Sequence, residues 1–391
     1  MRRAFPVVAL LVGLSSLVHA SELGKQGSVS ILVLTGSAHE RGAAHGKLLA
    51  REILANAGAL AKLQGERVPD ERVYLGLLEK FTWSEDESAE LDGIVDGVRA
   101  KLGEDVKVPG TERRFARRDV VGINTIADLL PLACSSFTIT GKRVEGGGTI
   151  TARNLDYPVL GTVVEQRLLI VHAARESEHA WATIGWAGAI GCYTGMNADG
   201  VTASIHDVPT SAGFLLGEGF TPRSIGLRRI LERTAPEGFA ENAAKVLQGC
   251  PVAYGNNIHV SAPGSAVVLE WDPDRTKGRG VTIREAKDGA IVCTNHWRSR
   301  REPEKCRRFE ALSKALADRA RPLAPKDALA TLGLAAVSGK DDLTIHSAVF
   351  SLEQRRLLVA FARDEQHPAP GEEPVDIDLG ALFARSAKRW W

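Results

Sequence analysis

Apolar residues recur at helical spacing through the first third of the chain, and short alternating runs take over after residue 134. Residues 40–65, ERGAAHGKLLAREILANAGALAKLQG, combine helix formers with an apolar stripe and predict a helix. Two more helices are predicted over Ser84–Leu102 and Asp119–Leu132, with one strand near Ser30–Leu34. Beyond Cys134, the runs SFTIT, GTITARN, QRLLIVHAA, HAWATIGWA and GVTASIH predict strands. GKRVEGGGT, between the first two, suits a hairpin loop. Helices are predicted again at Pro222–Thr234 and Phe239–Gln248, then strands at NNIHVSA, SAVVLEW, GVTIREA and GAIVCTN. Helices over Glu302–Asp318 and Pro325–Leu334 follow. The last predicted strands, TIHSAVFS and RRLLVAFA, are joined by a turn at Glu353–Gln354, and HPAPGEEP reads as a surface loop. Strands, then a helix pair, then strands predict an α+β protein whose sheets are layered with helices.

The first residues change where this protein is expected to work. MRRAFPVVALLVGLSSLVHA has a positive start, an apolar run over Ala4–Leu14, and small residues at Val18 and Ala20. That is a signal-peptide pattern with a cut expected after Ala20. The run is shorter than the ~20 residues that cross a bilayer, and no cysteine follows it for a lipid anchor. A secreted or periplasmic protein with no membrane anchor is expected. Losing Arg2 and Arg3 takes Lys+Arg from 49 to 47 against 48 Asp+Glu, so the net charge goes from +1 to −1. This argues against nucleic-acid or membrane binding driven by bulk charge.

The five cysteines, Cys134, Cys192, Cys250, Cys293 and Cys306, leave at least one thiol unpaired. With Cys134 free, the other four can pair in three ways or stay thiols. Their spacing matches no zinc motif. Cys134 itself reads two ways: a buried small hydrophobe, or a nucleophile. A thiol near pH 7 needs a base. Cutting the Ala133–Cys134 bond would supply one within the same residue, since a free α-amine titrates at about 7.7–8.0. RNLD places Arg153 and Asp156 at the end of a strand. A carboxylate there would fix the new amine, and an arginine would favour the thiolate while contacting the carboxylate. The plainer reading is a structural Arg–Asp pair. Asn295, in TNHW, suits an oxyanion donor or simply a turn. Arg308, taken alone, is one surface arginine among many. Asn197 and Gly200 in GMNADGV read as hairpin residues. HERGAAH (39–45) sets its histidines six apart, not the four of HExxH. No GxxxxGK[ST], GxGxxG or GxSxG is present.

Taken in order, CSSF, RNLDYP, GMNADGV, NNIHV, AVVLEW and TNHW resemble the N-terminal-nucleophile (Ntn) amide hydrolases. The likeness is to the acyl-coenzyme A:6-aminopenicillanic acid acyltransferase-like group, peptidase family C45, related to choloylglycine hydrolases, penicillin V acylases and acid ceramidases. GSAHERGAAHG and TIHSAVFSLEQRRLLVAF resemble its opening and closing motifs, so the likeness runs from about residue 30 to 365. It implies a four-layer αββα sandwich and self-cleavage before Cys134. Residues 21–133 would then form a helical small subunit, and 134–391 the catalytic one. It implies Cys134 as nucleophile, Arg153 and Asp156 as the residues holding it, Asn295 as oxyanion donor, and Arg308 as a further active-site arginine. Two departures stand out. His206-Asp207 lies where relatives carry an oxyanion Asn, and GKRVEGGG lengthens the Cys134-to-Arg153 spacing.

The expected activity is hydrolysis of a linear N-acyl bond of a small molecule through a thioester on Cys134. No metal or organic cofactor is required, and the partner is the chain's own other fragment. The alternatives are transfer of the acyl group to an amine, or an unprocessed binding protein of the same fold.

Overall fold

Two strands open the computed structural model, β1 (Glu22–Gln26) and β2 (Val29–Leu34). The structure describes residues 21–387 except 69, 130–132, 160–161, 176, 210–218, 273–279, 301–304 and 319–320. The leader expected over 1–20 lies outside these residues. Five helices follow: α1 (Ala38–Leu48), α2 (Ala50–Arg67), α3 (Glu71–Leu78), α4 (Glu85–Leu102) and α5 (Arg117–Leu129). The single helix expected over 40–65 is thus two, broken at Leu49. Capping boxes start two of these helices, Ser37 with Glu40 and Ser84 with Glu87. Residues 130–132 of the third expected helix lie outside the described residues.

The strands after the candidate cut are β3 (Ala133–Thr140), β4 (Thr149–Tyr157), β5 (Leu168–His172), β6 (Trp181–Gly185), β7 (Thr194–Asn197) and β8 (Thr202–Val208). Helices α6 (Arg223–Arg233) and α7 (Phe239–Gln248) precede β9 (Gly255–Ala262), β10 (Ser265–Asp272), β11 (Gly280–Glu285) and β12 (Ala290–Cys293). Next come α8 (Arg307–Ala317), α9 (Pro325–Leu332), β13 (Leu343–Ser351), β14 (Arg356–Phe361), β15 (Val375–Asp378) and α10 (Leu379–Ala387). The helix expected from Glu302 begins at Arg307, with 302–304 outside the described residues. HPAPGEEP does form a connection, but a strand and a helix follow it.

The strands make two sheets. One has the order β1-β2-β5-β6-β7-β8-β9-β10-β11, the other β12-β3-β4-β13-β14-β15. Alternation along each strand decides the layering. In β2 and β5, Val29, Ile31, Val33, Leu169 and Val171 share a core with Ala348, Phe350, Leu357 and Val359 of the second sheet. The opposite face of the same strands, Leu32, Leu34, Leu168 and Ile170, packs with Ile53, Leu91, Ile94 and Val98 of α2 and α4. On the far face of the second sheet, Phe137, Ile139, Ile150 and Ala152 pack with Leu312, Leu316, Leu329 and Leu332 of α8 and α9. The fold is therefore a four-layer αββα sandwich.

Segment 21–133 is woven into this sandwich. β2 pairs with β5 in parallel, and α1 and α4 bury charges against α6. Glu90 of α4 meets Arg41 at 3.1 Å and Arg228 at 2.9 Å, all nearly inaccessible to water. Burial alone would raise Glu90, but Arg228 and Arg41 bring it down to about 2. Helices α1 and α4 cross through glycines. A Cβ on Gly97 would sit 2.1 Å from the Ala43 carbonyl oxygen, which is main chain and cannot swing away. Gly97→Ala is therefore expected to lower stability by about 3 kcal/mol, the upper end of overpacking costs, read as a shift in the urea midpoint.

Candidate functional site

β3 and β4 form an antiparallel hairpin in which Ala133 faces Asp156, Cys134 faces Leu155 and Ser136 faces Arg153. β3 runs without a break through the Ala133–Cys134 bond. Cys134, Ser136 and Thr138 point toward the nine-stranded sheet. Ser136 Oγ lies 2.8 Å from His206 Nε2 and 2.7 Å from His259 Nδ1, and Thr138 Oγ1 lies 2.9 Å from His259 Nε2. The seam between the sheets is polar here, unlike the apolar interface at β2 and β5. Burial keeps its imidazoles neutral, taking His259 down to about 3.

The thiol of Cys134 is fully buried and accepts a hydrogen bond from Arg153 Nη2 at 3.1 Å. Among the described residues no histidine bonds it. Arg153 is equally buried and is aimed by three more groups: the Ile205 carbonyl at 2.8 Å, His346 Nε2 at 3.4 Å, and Thr194 Oγ1 in a short contact. Burial pushes the thiol up to about 12, and Arg153 opposes that only in part. Cys134 is therefore a fully buried, protonated thiol, with no side-chain base bonded to it among the described residues.

Asp156 does not pair with Arg153, contrary to the plainer reading and to the expectation that one arginine contacts both thiol and carboxylate. The two are three apart on a strand, so their side chains leave opposite faces. Asp156 instead accepts from Arg308 Nη1 at 2.6 Å and from Thr344 Oγ1 at 2.6 Å. Burial raises it to about 6, against the pull of Arg308 and Thr344.

Arg308, at the start of α8, is no isolated surface arginine. Its Nη2 also donates to Asn295 Oδ1 at 2.9 Å. The same Oδ1 accepts the main-chain N–H of Cys134 at 2.9 Å, and Asn295 Nδ2 donates to the Asp207 carbonyl at 2.8 Å. Asn295 therefore meets Cys134 through its carbonyl side. Asp207 places its carboxylate on Arg223 Nη1 at 2.5 Å, and its charge still adds to the upward push on the thiol. The structure thus brings Cys134, Arg153, Asp156, Asn295 and Arg308 into one connected cluster.

Thr194, His346, Thr344 and Arg223 were not singled out from the sequence. Thr344 and His346 do lie inside the quoted TIHSAVFS, but a register shift between them in the pairing with β4 sends Thr344 to Asp156 and His346 to Arg153 and Thr194, which simple alternation does not report. Asn197 and Gly200 are hairpin residues as read: Gly200 has φ +85°, and Asn197 Oδ1 accepts from Val201 N. HERGAAH forms α1, where His45 Nε2 accepts from Gly188 N and Arg41 pairs with Glu90. All five cysteines are free and buried, so none of the disulfide pairings forms.

An apolar cleft opens beside the cluster, lined by Leu60 and Leu63 of α2, Ile123 and Ile126 of α5, Tyr157 and Trp186. Tyr157 lies two residues beyond Leu155, the strand partner of Cys134, or about 7 Å along β4. Its ring stacks on Trp186 at 5.9 Å, and Trp186 stacks on Tyr193 at 4.8 Å.

The sequence profile of the acyl-coenzyme A:6-aminopenicillanic acid acyl-transferase family matches residues 143–326. That span holds Arg153, Asp156, Asn295 and Arg308, and begins just after Cys134. No curated protein matches the chain. Among solved structures, the N-acylethanolamine-hydrolyzing acid amidase ortholog of Caenorhabditis elegans is similar, with 17% identity and a TM-score of 0.43 over 56% of this chain and 92% of that one. A conjugated bile acid hydrolase variant from Clostridium perfringens shares 14% identity, with a TM-score of 0.44 over 63% and 93%. Penicillin V acylase from Agrobacterium tumefaciens shares 16%, with a TM-score of 0.40 over 59% and 84%. Likeness at this level assigns neither substrate nor site residues.

Proposed function

We propose that this chain, placed by its sequence with the acyl-coenzyme A:6-aminopenicillanic acid acyl-transferase group of Ntn hydrolases, cuts itself before Cys134 and then hydrolyses a linear amide with an apolar acyl group. One observation carries the reading. The main-chain nitrogen of Cys134 and its thiol are each held by a separate arm of one cluster, Asn295, itself held by Arg308, on the nitrogen and Arg153 on the sulfur. A core cysteine needs no partner on its sulfur, and a strand nitrogen is ordinarily satisfied by a neighbouring strand.

In the cut, Cys134 Sγ attacks the carbonyl carbon of Ala133. The carbon–nitrogen bond breaks, the nitrogen takes up the thiol proton, and a thioester joins Ala133 to Sγ. Water then adds hydroxide to the carbonyl carbon and returns a proton to sulfur. The products are a carboxylate on Ala133 and a free amine on Cys134. That amine now stands where the N–H bonded Asn295, within reach of its own thiol, and supplies the base that the uncut chain lacks. Turnover repeats the chemistry on substrate: the amine takes the thiol proton, Sγ attacks the amide carbon, the leaving amine takes the proton, and water clears the acyl group. Asn295 and a main-chain N–H would hold the oxyanion. The cluster requires no metal or organic cofactor.

The cleft beside Tyr157 supports an apolar acyl group, and two thirds of its lining residues come from the segment before the cut. A panel of N-acyl substrates on the processed protein tests this reading. Medium aliphatic or aromatic acyl groups are expected to exceed acetyl at least tenfold in kcat/KM, as a few buried methylenes imply. Leu60→Trp, which fills the cleft, is expected to erase that preference. A flat profile, or preference for charged acyl groups, would rule out this acyl site.

A further inference from the structure

One buried ionic group lies outside the chemistry just described, although it touches it at both ends. Arg223, the first residue of α6, is 1% exposed. Its Nε and its main-chain N–H both donate to Asp128 Oδ1, at 3.0 and 3.2 Å. Nη1 donates to Asp207 at 2.5 Å and to Asn256 Oδ1 at 2.9 Å, and Nη2 reaches the Ala127 carbonyl. Asp128 belongs to α5, in the segment before the cut. Asp207 belongs to β8, and its carbonyl oxygen accepts from Asn295, which holds the Cys134 nitrogen. An unbroken path of bonds therefore runs from Asp128 through Arg223, Asp207 and Asn295 to the bond that would be cut.

Stability does not explain this group. Two buried carboxylates share one guanidinium, and among the described residues Asp128 Oδ2 is buried without a hydrogen-bond partner. A buried charge left half-satisfied costs more than an apolar residue of similar size would. What the arrangement does provide is a tether on each side of the Ala133–Cys134 bond. Cys134 is fixed by Asn295, and the chain leading into it is fixed at Ala127 and Asp128 by Arg223.

We propose that Arg223, gripping Asp128 and Asp207 together, is a positioning device for self-cleavage: it fastens the segment before the cut to the residue that holds the Cys134 nitrogen. Arg223 and Asp128 touch neither the thiol nor the scissile carbonyl, so they act through Asp207 and Asn295. The same grip keeps the small fragment seated after the cut. This inference rests on the self-cleavage reading above.

The test follows conversion of the full-length chain over time in cell-free translation, counting by mass spectrometry the fragment that begins at Cys134. Asp128→Asn keeps the shape and removes the charge. Asp128→Glu keeps the charge and overfills the site. Asp128→Asn is expected to convert at least tenfold more slowly than the natural chain, the scale of a small loss of alignment, with no fall in the melting temperature. Asp128→Glu is expected to recover part of the rate and to convert faster than Asp128→Asn. A packing role predicts the opposite order, because Asn is the better fit. Conversion of Asp128→Asn at the natural rate, or Glu slower than Asn, overturns the device while leaving the cut intact. A natural chain that never converts overturns both readings.

Discussion

Cys134→Ala protein is expected to accumulate as one uncut chain and to show no turnover above background, while the natural chain yields a fragment whose first residue is Cys134. The loss should be complete within the assay, at least 10⁴-fold, because the substitution removes the nucleophile for both reactions and nothing else bonded to the thiol can replace it. Arg153 remains, but a guanidinium is neither a base nor a nucleophile near neutral pH. The fold should survive. Cys134 is buried in a strand, and replacing its sulfur with hydrogen removes one heavy atom from the core, at a cost of about 1 kcal/mol. A urea midpoint close to that of the natural chain therefore separates lost chemistry from lost structure. Mass spectrometry of the two purified proteins decides the matter. Intact chains in both would sink self-cleavage, and a fragment starting at residue 134 from the Ala variant would show that Cys134 is not the nucleophile. If only the activity on substrate is missing from the natural, processed chain, the cut stands and the substrate reading fails.

The hairpin that carries this prediction was legible in the sequence because it is local. Period-two alternation in SFTIT and GTITARN, with a glycine-rich turn between, fixes two strands and brings residues 19 apart together. The same alternation implied that Arg153 and Asp156 leave opposite faces. Treating RNLD as a pair ignored it, and the structure gives each its own partner. TNHW offered Asn295 as an oxyanion donor or a turn residue, and only the resemblance chose between them and added Arg308, since 161 residues separate Asn295 from the nitrogen it holds and no local pattern reports such a contact. Arg223 was invisible for a different reason. RSIGLRRILER looks like a surface helix with its arginines in water. Yet α6 is buried on nearly all sides, because carboxylates from α4, α5 and β8 neutralise its charges. Burial of that kind is a property of neighbours rather than of the segment. The strands and helices missed by pattern were short or peripheral: β1 at a sheet edge, α3 of eight residues, β15 and α10 at the end of the chain.

Asp156→Asn is expected to stop conversion at Ala133–Cys134 while the fold persists. The carboxylate is wholly buried, and it holds Arg308 through a 2.6 Å ion pair. Without its charge Arg308 loses the partner that aims it, and Arg308 in turn aims Asn295 at the Cys134 nitrogen. The usual cost of breaking one side of a buried pair is offset here, because Arg308 keeps some contact with water and burial already penalises the ionised Asp156. The natural chain can be brought to the same state by acid. With Asp156 raised to about 6, its charge is lost as pH falls below that value, and conversion should slow severalfold between about pH 7 and pH 5. The sign matters for reading the result. A carboxyl whose folded value lies above its unfolded value of 3.8 binds its proton more tightly in the native state, so this group makes the fold more stable, not less, as pH falls from about 6 toward 4. Slower conversion over that window with an undiminished urea midpoint therefore reports the electrostatics of the site and not unfolding. A rate that holds constant down to about pH 5 would mean that the charge on Asp156 is not what holds the bond for attack, and Asp156→Asn would then be expected to convert at the natural rate.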